Sequence, residues 1–148
     1  MKVRVRQSTQ SDVEYLADNL RQEDRLEVLA SHGSTLQALQ DGFNNSEECW
    51  TFEVEDTKEI AGMYGLGRLD DMTACPWLLT SPAIYKIWLP FLRRSKKWVK
   101  EANDKYPVLV NYCDAEYGLA LKWLQFLGFT FIKRHDIGDR PFIECVRI

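Results

Sequence analysis

The sequence predicts an α/β (α+β) domain whose elements follow the order β-α-α-β-β-β-α-β-α-β-β. The clearest unit is Val108–Phe129, which reads as a buried strand, a polar elbow at Asp114, an amphipathic helix and a stop at Gly128. A second observation is the alternation of apolar and polar residues over Glu48–Glu55, which is typical of a strand. The third is size, because 148 residues with 45% hydrophobic content suffice for one domain over residues 1–148.

The first half of the chain starts with a strand and passes through helices to a hairpin. Alternation over Lys2–Gln7 predicts the first strand, and a capped amphipathic helix follows it. Arg21–Ala30 continues as a helix or a tight helical pair, and a short helix precedes residue 46. Glu48–Glu55 and Ile60–Leu69 then predict two paired strands. The glycines of the second strand fit neither a P-loop nor a dinucleotide fingerprint, and we interpret them as bulge or close-packing positions: Gly62, Gly65 and Gly67.

The second half adds a third strand, a long basic helix and a closing hairpin. Cys75–Leu79 is short and apolar, which favours a sheet strand. Since proline breaks a regular helix, we expect Pro82–Trp88 to be a separate helical turn or loop and the long helix to begin near Pro90. Phe129–Lys133 and Phe142–Arg147 flank a Gly-Asp turn and predict the closing hairpin.

Charge and cysteine content restrict the class of protein. Residues 12–59 carry 13 acidic and 3 basic residues, whereas residues 86–105 carry 7 basic and 2 acidic residues. Each block is either a solvated surface or a binding face, acidic for a cationic partner and basic for a phosphorylated ligand. Neither a signal core nor an apolar run of about 20 residues is present, so we expect a soluble intracellular protein without membrane contact. The four cysteines are scattered without metal-site spacing, which indicates reduced core thiols and no metal.

The end of the Val108–Phe129 unit carries a family resemblance. A strand with Asn111, followed by a helix that ends in Leu127-Gly128-Phe129, resembles the last third of the GCN5-related N-acetyltransferases (GNAT proteins). The element order matches that family over essentially the whole chain. The resemblance implies a mixed, mostly antiparallel sheet that splays between its fourth and fifth strands, with helices on both faces. The motif LKWLQFLGF and the basic helix further resemble small GNAT-like proteins of short-tailed bacteriophages.

The resemblance implies that acetyl-CoA lies in the splay, with its pyrophosphate on a Q/R-x-x-G-x-G/A loop at the start of the long helix. The best register here is Lys86 to Phe91, where Leu89 and Phe91 replace the two small residues and Pro90 removes one N–H donor. The basic helix could still attract phosphates. Carried over to this sequence, the implied cofactor-binding residues are Leu79, Thr80, Lys86, Leu89, Phe91, Arg93, Arg94 and Asn111.

Catalysis in the family uses a carboxylate base for the amine and commonly a tyrosine acid about four residues before the glycine of the last helix. Leu124 occupies that tyrosine position here. The catalytic candidates are therefore Glu53, Asp114 and Tyr117, although Asp114 also suits a helix cap and Glu53 a strand-surface charge. Asp24 and Glu27 fall in the helical region that borders the acceptor pocket in the family, and we predict that they bind a cationic substrate. Exposed i,i+4 pairing is the simpler alternative for that cluster.

Two functions from different classes follow from this resemblance. The first is an acyl-CoA-dependent N-acyltransferase that acts on an amine-bearing small molecule or protein in the host cytoplasm. The second is a catalytically inactive GNAT-fold interaction protein that binds a phage or host protein in virion assembly or host interference. Nucleic-acid binding through the basic helix is the weakest reading, because the net charge is −3.

Overall fold

The computed structural model describes residues 2–116 and 118–148, apart from the side chains of residues 118 and 119. The described strands form one seven-stranded sheet in the order β1-β2-β3-β4-β5-β7-β6. Every neighbouring pair is antiparallel except β4 and β5, which are parallel. The strands are β1 (Val3–Gln7), β2 (Glu48–Val54), β3 (Ile60–Arg68), β4 (Thr73–Thr80), β5 (Val108–Asp114), β6 (Thr130–Ile137) and β7 (Arg140–Arg147).

Helices cover both faces of this sheet. Three buried clusters hold the helices on the sheet. In one, α1, α2 and α3 pack on β3 and β4. In the second, α4 packs on β1, β2 and β3, and in the third, α4 and α5 pack on β4, β5 and β7. The predicted fold class, a mostly antiparallel mixed sheet with helices on both faces, is thereby confirmed. The helices are α1 (Gln10–Asn19), α2 (Gln22–His32), α3 (Thr35–Asn45), α4 (Trp88–Lys105) and α5 (Gly118–Phe126), with a 3-10 turn at Pro82–Lys86.

Three helices precede β2, whereas the predicted element order has two, and the start of the long helix also differs from the prediction. Gly33 adopts φ +78° and ends α2 with a bond from its N–H to the Leu29 carbonyl, which separates α2 from α3. The long helix begins at Trp88 and not near Pro90. Pro90 is tolerated there because the N–H groups of a first helical turn have no partner within the helix.

The polar side of β2 is more buried than its alternation indicates. Thr51 and Glu53 are 0% and 4% exposed, since the strand is covered on both faces. The Thr51 hydroxyl donates to the Asp12 carboxylate at 2.9 Å, and Arg6 binds both oxygens of that carboxylate at 2.8 Å. These bonds compensate the burial of polar groups.

Two of the glycines of β3 are close-packing positions, as predicted. A Cβ at Gly62 would lie 2.6 Å from the Leu79 carbonyl oxygen, and one at Gly65 would lie 2.7 Å from the Trp77 indole. A Cβ at Gly67 would lie 3.8 Å from the Cys75 carbonyl oxygen, an ordinary van der Waals contact. The tight β3–β4 contact therefore requires glycine at Gly62 and Gly65.

The parallel pair β4–β5 is short, and this determines where a ligand can enter. Only Thr73↔Val108 and Ala74↔Leu109 pair before the two strands diverge. Beyond them, the Asn111 side-chain amide donates to the Pro76 carbonyl at 2.7 Å, the first contact across the gap. The carboxyl-terminal halves of β4 and β5 thus form an open splay.

Among the described helices, none is long and apolar enough to span a bilayer.

Candidate active site

A cavity of about 310 Å³ lies in the splay between β4 and β5. It is lined from both sides of the sheet, by Arg21, Asp24 and Glu27 of α2 and by Trp88, Trp123 and Leu124 of α4 and α5. Side chains from opposite faces can meet in one cavity because the two strands no longer pair there. The cavity therefore receives side chains from both faces of the sheet.

One wall of the cavity, which we call the α2 wall (Arg21, Asp24 and Glu27), is built from interlocked polar groups. The Arg21 N–H donates to the Thr80 carbonyl at 2.8 Å. The Thr80 N–H donates to the Asp24 carboxylate at 2.8 Å, and the Thr80 hydroxyl donates to the same oxygen. The Arg21 guanidinium binds the other Asp24 oxygen at 3.2 Å and donates to the Tyr85 hydroxyl at 3.2 Å. These bonds fix the start of α2 on the end of β4.

Glu27 is the carboxylate of this wall with the most unusual environment. It borders the cavity and keeps some accessible surface, but its carboxyl group is surrounded by protein. Burial, reinforced by the nearby charge of Asp24, raises the pKa of Glu27 to about 8, although the Asp114 N–H donates to it at 3.2 Å. A carboxyl group that titrates near neutral pH can exchange a proton with a bound amine.

The opposite wall is apolar: Trp88 and Trp123 line it, and Phe91 packs behind them in the core. We call these three residues the aromatic wall. Phe91 is 4% exposed and stacks on Phe52 with ring centroids 4.7 Å apart. Trp123 lies 5.9 Å from Phe91, and its indole N–H donates to the Ser95 hydroxyl at 3.4 Å. The aromatic wall therefore narrows the splay and gives it a defined shape, but leaves the cavity open.

The structure separates the predicted cofactor residues into two groups. Thr80 and Asn111 line the cavity, and Arg94 lines an adjoining apolar crevice of about 40 Å³. The others lie elsewhere: Leu79 and Phe91 are buried in the core, Leu89 is 64% exposed, Arg93 is exposed, and Lys86 pairs with Glu59 at 2.7 Å.

The start of α4 offers few backbone donors for a phosphate. The Ile87 N–H donates to the Ile84 carbonyl at 3.1 Å, and the Phe91 N–H donates to the Ile87 carbonyl at 3.0 Å. Pro90 has no N–H group. Trp88 and Leu89 therefore supply the N–H groups at the start of α4. A glycine-rich loop offers more such donors to a phosphate, so this helix start is a less complete anion site.

Glu53 and Asp114, two predicted catalytic carboxylates, are held by arginines away from the cavity lining. Glu53 lies 3.7 Å from Arg4 and 3.5 Å from Arg6. Asp114 is fully buried, binds Arg140 and accepts the Glu116 N–H at 2.9 Å, so it caps the turn after β5. Asp114 nevertheless reaches the site through its backbone N–H, which contacts Glu27. Tyr117 lies outside the described residues.

Asp24 and Glu27 are the predicted substrate-binding pair, and the structure brings both to the cavity. Arg21, Tyr85, Tyr112 and Trp123 also line the cavity, although they are not among the site residues predicted from the sequence. Tyr85 and Tyr112 are 58% and 41% exposed, which places them at openings of the cavity. Only their position beside the two diverging strands distinguishes them from ordinary surface tyrosines, and the sequence contains no signal for that.

Leu124 and Cys113 limit the chemistry available in the lining. Leu124, at the position of the family tyrosine, is 4% exposed and lies in the core between α5 and the sheet. Burial raises the pKa of the Cys113 thiol far above its usual range, and the charge of Glu27 adds to this. The thiol is therefore protonated and is not suited to act as a nucleophile.

Solved structures with the same architecture are numerous. Ard1 from Thermoplasma volcanium superposes with a TM-score of 0.76 at 10% identity over 100% of this chain and 98% of that one. A GNAT-family acetyltransferase from Bacillus anthracis gives 0.70 at 10% identity, covering 100% and 95%. Spermidine N-acetyltransferase from Vibrio cholerae, in complex with CoA and spermine, gives 0.66 at 10% identity, covering 97% and 94%.

The sequence matches no protein-family model and has no significant similarity to a curated protein. The likeness therefore lies in the three-dimensional arrangement of the elements. The superpositions cover 97–100% of this chain and 94–98% of the solved chains. On this ground, the chain has the fold of the GNAT acetyltransferases.

Proposed function

We propose that this protein is an acyl-CoA-dependent N-acyltransferase whose reacting groups meet in the splay cavity. The observation that carries the proposal is a cavity between the diverging ends of β4 and β5 that is lined by Glu27 on one side and by the aromatic side chains Trp88 and Trp123 on the other. The donor thioester enters along β4 from the α4 side, and the acceptor amine lies beside Glu27. The complex of the Vibrio cholerae neighbour with CoA and spermine supports this choice of donor and of an amine acceptor.

The exposed edge of β4 suits the amide groups of a pantetheine arm. Thr80 directs its N–H and C=O away from β3, to Asp24 and to the Arg21 N–H. Because backbone groups alternate along a strand, Leu78 directs its own N–H and C=O to the same open edge. An extended chain that carries amides can bond to the N–H and C=O of Leu78, since those of Thr80 are already taken by Asp24 and Arg21. The cations of α4, among them Arg93 and Arg94, lie where they can attract the CoA phosphates in place of a complete backbone cradle.

The acyl transfer is a direct attack of the amine on the thioester. Glu27 accepts one proton from the ammonium form of the acceptor, and the neutral amine nitrogen then bonds to the thioester carbonyl carbon. The carbon–sulfur bond breaks, CoA leaves as a thiolate, and the second proton of the nitrogen passes through solvent at the cavity opening to that thiolate, which leaves a neutral amide. Exclusion of water by Trp88 and Trp123 strengthens the interaction between the carboxylate and the ammonium group.

Thermal unfolding with and without millimolar acetyl-CoA or CoA tests the donor site. A ligand bound only to the folded chain adds about 2.7 kcal/mol when its concentration is roughly 100 times Kd. We expect a higher unfolding midpoint with either ligand, and loss of that shift in the Arg93→Glu plus Arg94→Glu double variant. The matched control is Lys133→Glu plus Arg134→Glu on the exposed side of β6, which makes the same charge change. No midpoint shift in the wild-type protein would refute acyl-CoA binding.

A second candidate function rests on the residues missing from the usual machinery. Leu124 is buried where the family commonly has a tyrosine, and Pro90 and Leu89 interrupt the phosphate loop. These features favour a catalytically inactive GNAT-fold protein that binds a phage or host protein during virion assembly or host interference. Acetyl transfer at enzyme-like rates that disappears in Glu27→Gln would exclude it. In the absence of transfer, a stoichiometric complex with a phage or host protein would support it.

A further inference from the structure

Helix α2 lies across the ends of the strands that frame the cavity. Arg21 and Asp24 bind Thr80 at the end of β4, and Glu27 accepts the Asp114 N–H at the end of β5. One turn further on, Ala30 lies so close to the β6–β7 turn that a Cβ at Gly138 would be 2.9 Å from its carbonyl oxygen. These contacts follow α2 for about 14 Å, at 1.5 Å per residue.

These contacts of α2 block the side of the cavity that lies at the strand ends, so a long acceptor cannot enter there. An extended polypeptide needs a continuous groove or a free strand edge on which to bind. Here α2 touches β4, β5 and the β6–β7 turn in succession, so the described residues leave no such groove at the strand ends. The cavity reaches the surface beside Tyr85 and Tyr112, the exposed residues of its lining. A small molecule can pass such openings.

The α2 wall offers only one carboxyl group to a cation. Both oxygens of Asp24 are occupied, one by Arg21 and the other by Thr80, and Arg21, which also lies 3.5 Å from the carboxylate of Glu23 outside the lining, balances the negative charge of Asp24. Glu27 remains, and burial raises its pKa to about 8, so it carries little charge at neutral pH until an ammonium group binds. A second ammonium group would find Arg21 and no unpaired carboxylate in the lining.

The remaining lining favours an apolar or aromatic body on the acceptor. Four of the described aromatic residues border the cavity: Tyr85, Trp88, Tyr112 and Trp123. Aromatic faces bind both apolar groups and a single ammonium group. The volume of about 310 Å³ is at the lower end of the range for small-molecule sites, roughly 300–1,000 Å³, and the thioester must share it.

We infer that the acceptor is a small amine with one cationic group on an apolar or aromatic body, and that the site rejects polyamines and polypeptides. The inference rests on the proposed function and narrows its substrate class. It differs from what the spermine complex of the Vibrio cholerae neighbour suggests. The structural cause is the pairing of Asp24 with Arg21 and Thr80, which removes the second negative charge.

The test compares acetyl transfer from acetyl-CoA to matched acceptors at one pH. Hexylamine and hexamethylenediamine have the same carbon chain, and phenethylamine, spermidine and a short peptide with a free N-terminus complete the set. We expect kcat/KM for hexylamine to exceed that for its diamine at least about tenfold, because the second ammonium group would lose its hydration without an unpaired carboxylate among the described lining residues. Spermidine and the peptide should react still more slowly, and phenethylamine at least as fast as hexylamine.

The Arg21→Gln variant examines the cause of this selectivity. Removal of the guanidinium frees the Asp24 charge, so the ratio of diamine to monoamine activity should rise several-fold. Arg25→Gln, an exposed change on the same helix, should leave the ratio as in the wild type. If Arg21→Gln does not fold, the wild-type comparison alone decides. Preference of the wild type for spermidine, the diamine or the peptide would overturn this inference but uphold the proposed function, whereas no transfer to any acceptor would overturn both.

Discussion

The two walls of the cavity are built on different principles. The α2 wall is a set of polar groups that bind one another across long sequence separations, such as Glu27 and Asp114, which are 87 positions apart. The aromatic wall is held by packing of Phe91 against Phe52 and Trp123. The α2 wall therefore supplies the reactive groups of the cavity, and the aromatic wall supplies its shape. Substitutions in the α2 wall should change reactivity, and substitutions in the aromatic wall should change stability.

The largest effect is expected for Glu27→Gln in the α2 wall. The amide keeps the size of the side chain and an acceptor for the Asp114 N–H but cannot take up the amine proton. We expect kcat/KM to fall by roughly 10²–10⁴-fold, the usual contribution of a general base. In the wild type, kcat/KM should rise with pH up to about pH 8, where Glu27 loses its proton. Steady-state rates between pH 6 and 9 measure both, and Glu14→Gln, an exposed change on α1, should leave them unaltered.

The same variant should alter how stability depends on pH. The pKa of Glu27 is raised from 4.5 to about 8 in the folded chain, so the folded state binds more protons than the unfolded state between these values. The free energy of unfolding contributed by Glu27 therefore falls as pH rises from about 4.5 to about 8. Glu27→Gln should lose this dependence and gain relative stability at high pH. Denaturation at several pH values measures it, and a constant difference between the two proteins would contradict the raised pKa.

In the aromatic wall, Phe91→Ala should reduce the free energy of unfolding by roughly 3–5 kcal/mol. Phe91 is 4% exposed and stacks on Phe52, so its loss leaves a cavity in the core. The matched control is Leu89→Ala two positions earlier on α4, where the side chain is 64% exposed. That change should stay within about 0.5 kcal/mol. Urea denaturation of both variants decides, and equal losses would mean that Phe91 does not support the wall.

A smaller effect is expected where β4 meets α2. Thr80→Val removes the hydroxyl that binds Asp24 but leaves the Thr80 N–H bond and the Arg21 pair in place. We expect a loss of about 1.5 kcal/mol, typical of a hydrogen bond to a charged group. Thr80→Ser keeps the hydroxyl and serves as the control in the same denaturation experiment. Equal stability of the valine variant and the wild type would show that this hydroxyl does not contribute to anchoring α2.

Much of the fold could be predicted from local sequence patterns. Alternation located β2 and β3 to within a residue or two, and helical spacing followed by Gly128 located the last helix. Errors arose where context overrides a local rule. Pro90 is accommodated in the first turn of α4, and Glu53 is buried by Arg4, Arg6 and the covering helices although it lies on the polar side of β2.

The candidate site could be predicted only in part. Asp24, Glu27, Thr80 and Asn111 were expected near the ligands and do line the cavity. The candidates that rest on position in a motif, such as Lys86 and Leu89, point to solvent or to a surface ion pair. A motif position fixes where the backbone passes, but the partner of a side chain depends on which other segment packs beside it.

The sequence by itself determined the strands and their order, the amphipathic faces of the helices and the glycine that ends the last helix. These features depend on residues that are neighbours in the chain or on the period of a helix or strand. Only the tertiary structure decided that Asp24 is paired with Arg21 and Thr80, and that Glu27 is buried beside Asp114 with a raised pKa. The physical reason is that burial and charge act through space, between segments that meet only when α2 closes over the diverging ends of β4 and β5.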